Sequence, residues 1–102
     1  MTPTQYIQQN RQRFMDELFE LLRIPSISAD SAFKADVRRA AEYIKTKLEQ
    51  AGADKVELCE TAGFPIVYGE KMVDPSLPTV LVYGHYDVQP SAPDHLWISP
   101  AF

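Results

Sequence analysis

At 102 residues, 45% of them hydrophobic, the chain has the size and composition of one small globular domain. Its formal net charge of −4 argues against nucleic acid or an anionic membrane surface as a partner, since both call for a basic face. No run approaches the roughly 20 apolar residues of a membrane span, and the N-terminus lacks the apolar core of a signal peptide, so the cytoplasm is the expected compartment.

In chain order, Thr2 and Gln5 have capping-box spacing around Pro3. Ile7, Phe14, Leu18, Leu21 and Leu22 then recur at helical spacing, with Asp16, Glu17 and Glu20 between them. That pattern predicts an amphipathic helix stopped by Pro25. The string "IPSIS", residues 24–28, reads as an extended connector. A second helix carries Val37, Ala40, Ala41, Ile44, Leu48 and Ala51 on one stripe and stops at Gly52. Arg38, Arg39, Lys45 and Lys47 interleave with acidic residues along it, the pattern of a solvated helix face.

After Gly52 the period changes. Val56 and Leu58 alternate with charged residues as in a half-exposed strand, which also holds Cys59, the single cysteine, read as a small strand residue. "FPIVYGEK" predicts a second strand, and "MVDPSLP" a loop punctuated by Pro75 and Pro78. "TVLVYG" is a continuous apolar run, expected of an interior strand covered on both faces. The fold class is therefore α/β, with two helices and three strands of a mixed sheet. Such a sheet calls for further elements beyond Tyr83, so residues 1–102 read as the N-terminal part of a larger domain.

The apolar run leads straight into His85 and Asp87. In open α/β sheets, functional side chains gather in the loops just beyond strand ends. Gly84 leaves room for close approach, and in an extended backbone His85 and Asp87 share one side while Tyr86 faces the other. A neutral imidazole is a good zinc ligand, and a carboxylate accepting from its second nitrogen fixes the tautomer and raises its basicity. The same pair also fits a loop histidine simply hydrogen-bonded to a neighbouring aspartate, and spacing alone leaves both readings open. A Ser-His-Asp triad has Ser26, Ser28 and Ser91 to draw on, but none lies in a nucleophile-elbow sequence.

"YGHYDVQP" followed by "LWISPAF" resembles the di-zinc metallopeptidase family of aminoacylases, acetylornithine deacetylase, carnosinase and cytosolic dipeptidases. The resemblance rests on Gly84, His85, Asp87, Val88, Pro90 and Trp97, and on "LLRIPSIS" and "RRAAEYIKTKLEQAG" earlier in the chain. Tyr86 and Gln89 within the signature lean toward the dipeptidase branch. Ala101 departs from the proline usual before Phe102, His95 matches no family ligand, and Trp97 reads as a packing residue. The resemblance implies that His85 binds one of two zinc ions, with manganese as an alternative metal, and that Asp87 orients His85. It further implies dipeptide or short-peptide substrates, a homodimer when full length, and other metal ligands and a general base beyond residue 102. The competing expectation is a non-catalytic relative or interaction domain that keeps the fold and uses His85 structurally.

Overall fold

Helix α1, Pro3–Leu22, begins where the sequence places it. The Thr2 hydroxyl accepts from the Gln5 amide at 3.2 Å, and the Gln5 side-chain oxygen accepts from the Thr2 amide at 2.8 Å, so two otherwise orphaned donors are satisfied. The computed structural model describes all 102 residues. A single 3₁₀ turn, Ser31–Phe33, capped by the Asp30 carboxylate on the Ala32 amide at 2.9 Å, feeds helix α2, Lys34–Gln50. Helix α2 is followed, after the cap residue Ala51, by Gly52, whose φ of 89° is open to glycine and strained for other residues. There the Ala53 amide reaches back to the Leu48 carbonyl at 3.1 Å.

Strands β1, Lys55–Cys59, and β2, Ile66–Glu70, pair antiparallel, with Lys55 opposite Glu70 and Cys59 opposite Ile66. Val56, Leu58 and Val67 are half-buried, while Glu57 and Tyr68 face water, the alternation that the sequence predicts. Helix α2 lies across this hairpin. Its Leu48 comes so close to Gly69 that a Cβ there would sit 3.0 Å from Leu48 Cδ1, so a side chain at 69 would press on Leu48. The buried core is small: Val37, Ala40 and Ala41 of α2, joined by Ile24, Ser26 and Ile27 of the connector and by Pro65.

Helix α1 is tethered to α2 by polar contacts. The Tyr43 hydroxyl donates to the Glu17 carbonyl at 2.7 Å and lies 3.1 Å from a Glu20 carboxylate oxygen. Burial first, then the Glu20 bond, pushes the Tyr43 phenol up to about 12, so it stays a donor at neutral pH. Lys47 adds an ion pair with Glu17 at 3.5 Å.

Two expectations need correction. The mixed three-stranded sheet is a two-stranded antiparallel hairpin, because the run predicted as an interior strand has no partner backbone. Val80, Leu81, Val82 and Tyr83 are 82–91% exposed. Its apolarity states a need for burial, but β1 and β2 pair only with each other, so nothing within these residues meets that need. The predicted stripe of α1 is likewise uncovered, with Ile7, Leu18 and Leu22 all exposed, and Ala51 of the α2 stripe is exposed too. The accessible surface, 8169 Å², accordingly exceeds the roughly 5,800 Å² of a folded monomer of this mass.

An exposed, uncharged, β-prone segment with free backbone groups is a template for pairing with another chain. The 102-residue chain is therefore expected to self-associate as its concentration rises, and Leu81→Lys to suppress this. Sedimentation of both forms over a concentration series checks it; a wild type that stays monomeric throughout contradicts it.

Candidate functional site

The segment carrying His85 and Asp87 is held by the connector 24–28. The Val88 amide donates to the Ser26 carbonyl at 3.0 Å, and Ile27 and Val88 form one parallel bridge. The Ser26 hydroxyl, in a residue only 1% exposed, donates to the Tyr86 carbonyl at 3.0 Å. A buried hydrogen bond of this kind contributes about 1 kcal/mol net, and more is lost if its acceptor is left unpaired. From the other side, the Tyr86 hydroxyl donates to the Pro65 carbonyl just ahead of β2. Burial and the nearby Asp87 charge raise the Tyr86 phenol, which keeps it protonated for that bond. Backbone and Tyr86 are thus pinned, and the side chains of residues 85 and 87 emerge together on the opposite side, as an extended backbone requires.

His85 Nδ1 lies 2.8 Å from Asp87 Oδ1, and the Ser28 hydroxyl donates to Asp87 Oδ2 at 2.6 Å. The Ser28 bond is the first cause holding the Asp87 carboxyl below its usual range; burial opposes it, and the His85 contact adds to it. An ionised carboxylate only accepts, so both neighbours must donate to it. In its neutral form His85 therefore carries its proton on Nδ1 and has its Nε2 lone pair free, on a side chain 74% exposed. Both Asp87 oxygens are engaged, and Nε2 has no hydrogen-bond partner.

The order of contacts is Ser28–Asp87–His85. In a nucleophilic triad the histidine stands in the middle and takes the serine proton. Here the serine gives its hydrogen to the carboxylate, so Ser28 is not activated as a nucleophile. Beside the pair runs an apolar groove of about 630 Å³ between α2, β2 and residues 82–87, with Val37, Leu48, Val67 and Tyr86 among its walls. No three His, Cys, Asp or Glu side chains come together as a metal-binding group.

Of the residues singled out in the sequence, the fold joins His85 and Asp87. It leaves His95 on an exposed surface turn and uses Trp97, 54% exposed, to reach the Ser91 carbonyl at 2.8 Å. Ser26 and Ser28, which the sequence offers only as triad serines outside any nucleophile elbow, join the site as hydrogen-bond donors to the Tyr86 carbonyl and the Asp87 carboxylate. Their signal is weak: two serines two residues apart in a connector, with partners 60 and 59 residues away.

Because the folded-state carboxyl of Asp87 is depressed, its contribution to stability is present above about pH 4 and is lost as pH falls through its lowered value. Asp87→Asn removes that dependence. Its unfolding midpoint is expected to drop less between about pH 5 and pH 2 than that of the wild type, followed by circular dichroism; parallel losses in both contradict the assignment.

No family model matches the chain. It is 32% identical to the Cys-Gly metallodipeptidase DUG1 of Candida albicans, covering 94% of this chain and 22% of that one. With the protein of the same name from Saccharomyces cerevisiae it shares 30% identity over 96% of its own length and 23% of the relative's. The solved structure of the S. cerevisiae di-peptidase Dug1p superposes with a TM-score of 0.84 at 30% identity, covering 94% of this chain and 22% of that one. The chain thus spans between a fifth and a quarter of the length of these relatives. In sequence and in fold, the chain is similar to part of these metallodipeptidases.

Proposed function

We propose that these 102 residues are part of a metal-dependent dipeptidase and give its metal centre one ligand, His85 Nε2, with Asp87 as the carboxylate that orients it. The observation that supports this most is the arrangement around Asp87. One oxygen holds His85 Nδ1 at 2.8 Å while the other is occupied by Ser28 at 2.6 Å. An imidazole held this way has a fixed tautomer, a fixed ring and a more basic free nitrogen, the properties that a zinc ligand needs. Asp87, with both oxygens engaged, fits a supporting role better than direct ligation.

A catalytic zinc takes about three protein ligands. Since no such group exists within the chain, the other ligands and the general base would come from residues outside these 102. Imidazole and carboxylate donors suit zinc, with manganese as the alternative. When bound, such metals polarise a carbonyl and lower the pKa of water from ~15.7 toward ~7. This chain's own part is to present Nε2 in a set direction and to keep a negative charge beside the ring.

The relatives' names point to cysteinylglycine as a substrate to test, within the broader class of dipeptides with a free C-terminal carboxylate. A cytoplasmic homodimer completes the reading. The alternative of a non-catalytic fold-keeping domain gains no support from relatives that are themselves named metallodipeptidases.

In the protein that carries this chain, His85→Ala is expected to lose one metal, whereas Asp87→Ala lowers affinity or activity by roughly 10–100-fold without abolishing binding. Asp87→Asn separates orientation, which an amide can partly replace, from charge, which it cannot. Metal content by mass spectrometry with steady-state kinetics reads all three; full occupancy and normal rates in His85→Ala would sink the proposal. Turnover of Cys-Gly against its C-terminal amide tests the substrate class, and equal rates count against it.

A further inference from the structure

The geometry points to Ser28 as a positioning residue that locks the Asp87 carboxylate, and through it the tautomer and direction of His85. This rests on the reading of His85 as a metal ligand. An aspartate side chain has two rotatable bonds, and that of Asp87 is 38% exposed, so the contact with His85 alone would leave its carboxylate free to turn into water. The Ser28 hydroxyl stops that turn from the other side. At 2.6 Å its bond to Oδ2 falls in the short range of a hydroxyl donating to a charged acceptor. With Oδ2 fixed, Oδ1 is the oxygen presented to Nδ1, at 2.8 Å.

Ser28 itself is well anchored. It lies two residues from Ser26, which is buried and bonded to the Tyr86 carbonyl, and next to Ile27, which bridges to Val88. The two serines divide the work. Ser26 holds the backbone of the site segment, and Ser28 holds its carboxylate. No serine nucleophile is involved, since the Ser28 hydrogen points at a carboxylate and not at the ring.

The test uses the protein that carries this chain, first stripped of metal and labelled with ¹⁵N-histidine, with the His85 resonances assigned by comparison with His85→Ala. In the wild type His85 should hold its proton on Nδ1. In Ser28→Ala the population should move toward the Nε2-protonated tautomer, and the affinity for zinc alone, measured by chelator competition, should fall about tenfold. Ser28→Thr, which keeps the hydroxyl, should restore both. Ala41→Gly, in the buried face of α2, is the control for instability: it should lower the thermal midpoint and leave tautomer and zinc affinity unchanged. A wild-type tautomer and wild-type affinity in Ser28→Ala overturn the inference, as does a Ser28→Thr variant that behaves like Ser28→Ala. If His85→Ala keeps its full zinc, the ligand reading falls instead, and the tautomer in the metal-free protein still decides whether Ser28 positions the ring.

Discussion

The hydrogen bond from the Val88 amide to the Ser26 carbonyl, with the Ile27–Val88 bridge beside it, is the constraint on which the site depends. Residues 80–83 are exposed and unpaired, so the polar segment after them has no tether on its N-terminal side. Its position is set by the connector instead. That connector supplies Ile24, Ser26 and Ile27, three of the few buried residues of the chain. Burial is scarce in this structure, and much of it lies where His85 and Asp87 must be held still. The Tyr86 hydroxyl on the Pro65 carbonyl braces the segment from the side of the hairpin, and this links the site to β2 and through it to α2.

The chemistry of the site follows from the order of three polar groups. Serine and histidine each lie within hydrogen-bond reach of the aspartate, the residue types of a nucleophilic triad, but here the carboxylate is in the middle. It accepts from both sides, the Ser28 bond being the first cause that lowers its carboxyl, and leaves imidazole Nε2 as the nitrogen without a partner. An imidazole with a backed Nδ1 and an open Nε2 is prepared to bind a cation and has no serine proton within its reach.

Local signals were well read from the sequence. The capping box at Thr2 and Gln5, the stop at Gly52, the alternation in Val56–Leu58 and the shared side of His85 and Asp87 each depend on neighbours within a few residues, and each is found in the fold. What escaped was non-local. Apolarity in Val80–Tyr83 and along α1 announces that a face needs a cover, but it does not say whether the cover lies in the same stretch of chain. The predicted third strand failed on that point. The contribution of Ser26 and Ser28 was hidden for a related reason, since a serine in a connector carries no mark of a partner about 60 residues away.

The central claim is that His85 meets a metal through Nε2 while Asp87 stays behind it, and a crystal structure of the zinc-loaded protein carrying this chain tests it most directly. The account predicts zinc about 2.0–2.1 Å from His85 Nε2, the usual imidazole distance, with Asp87 still bridging Nδ1 and the Ser28 hydroxyl. Zinc bound through Nδ1, or absent from His85 while present elsewhere in the protein, would contradict it.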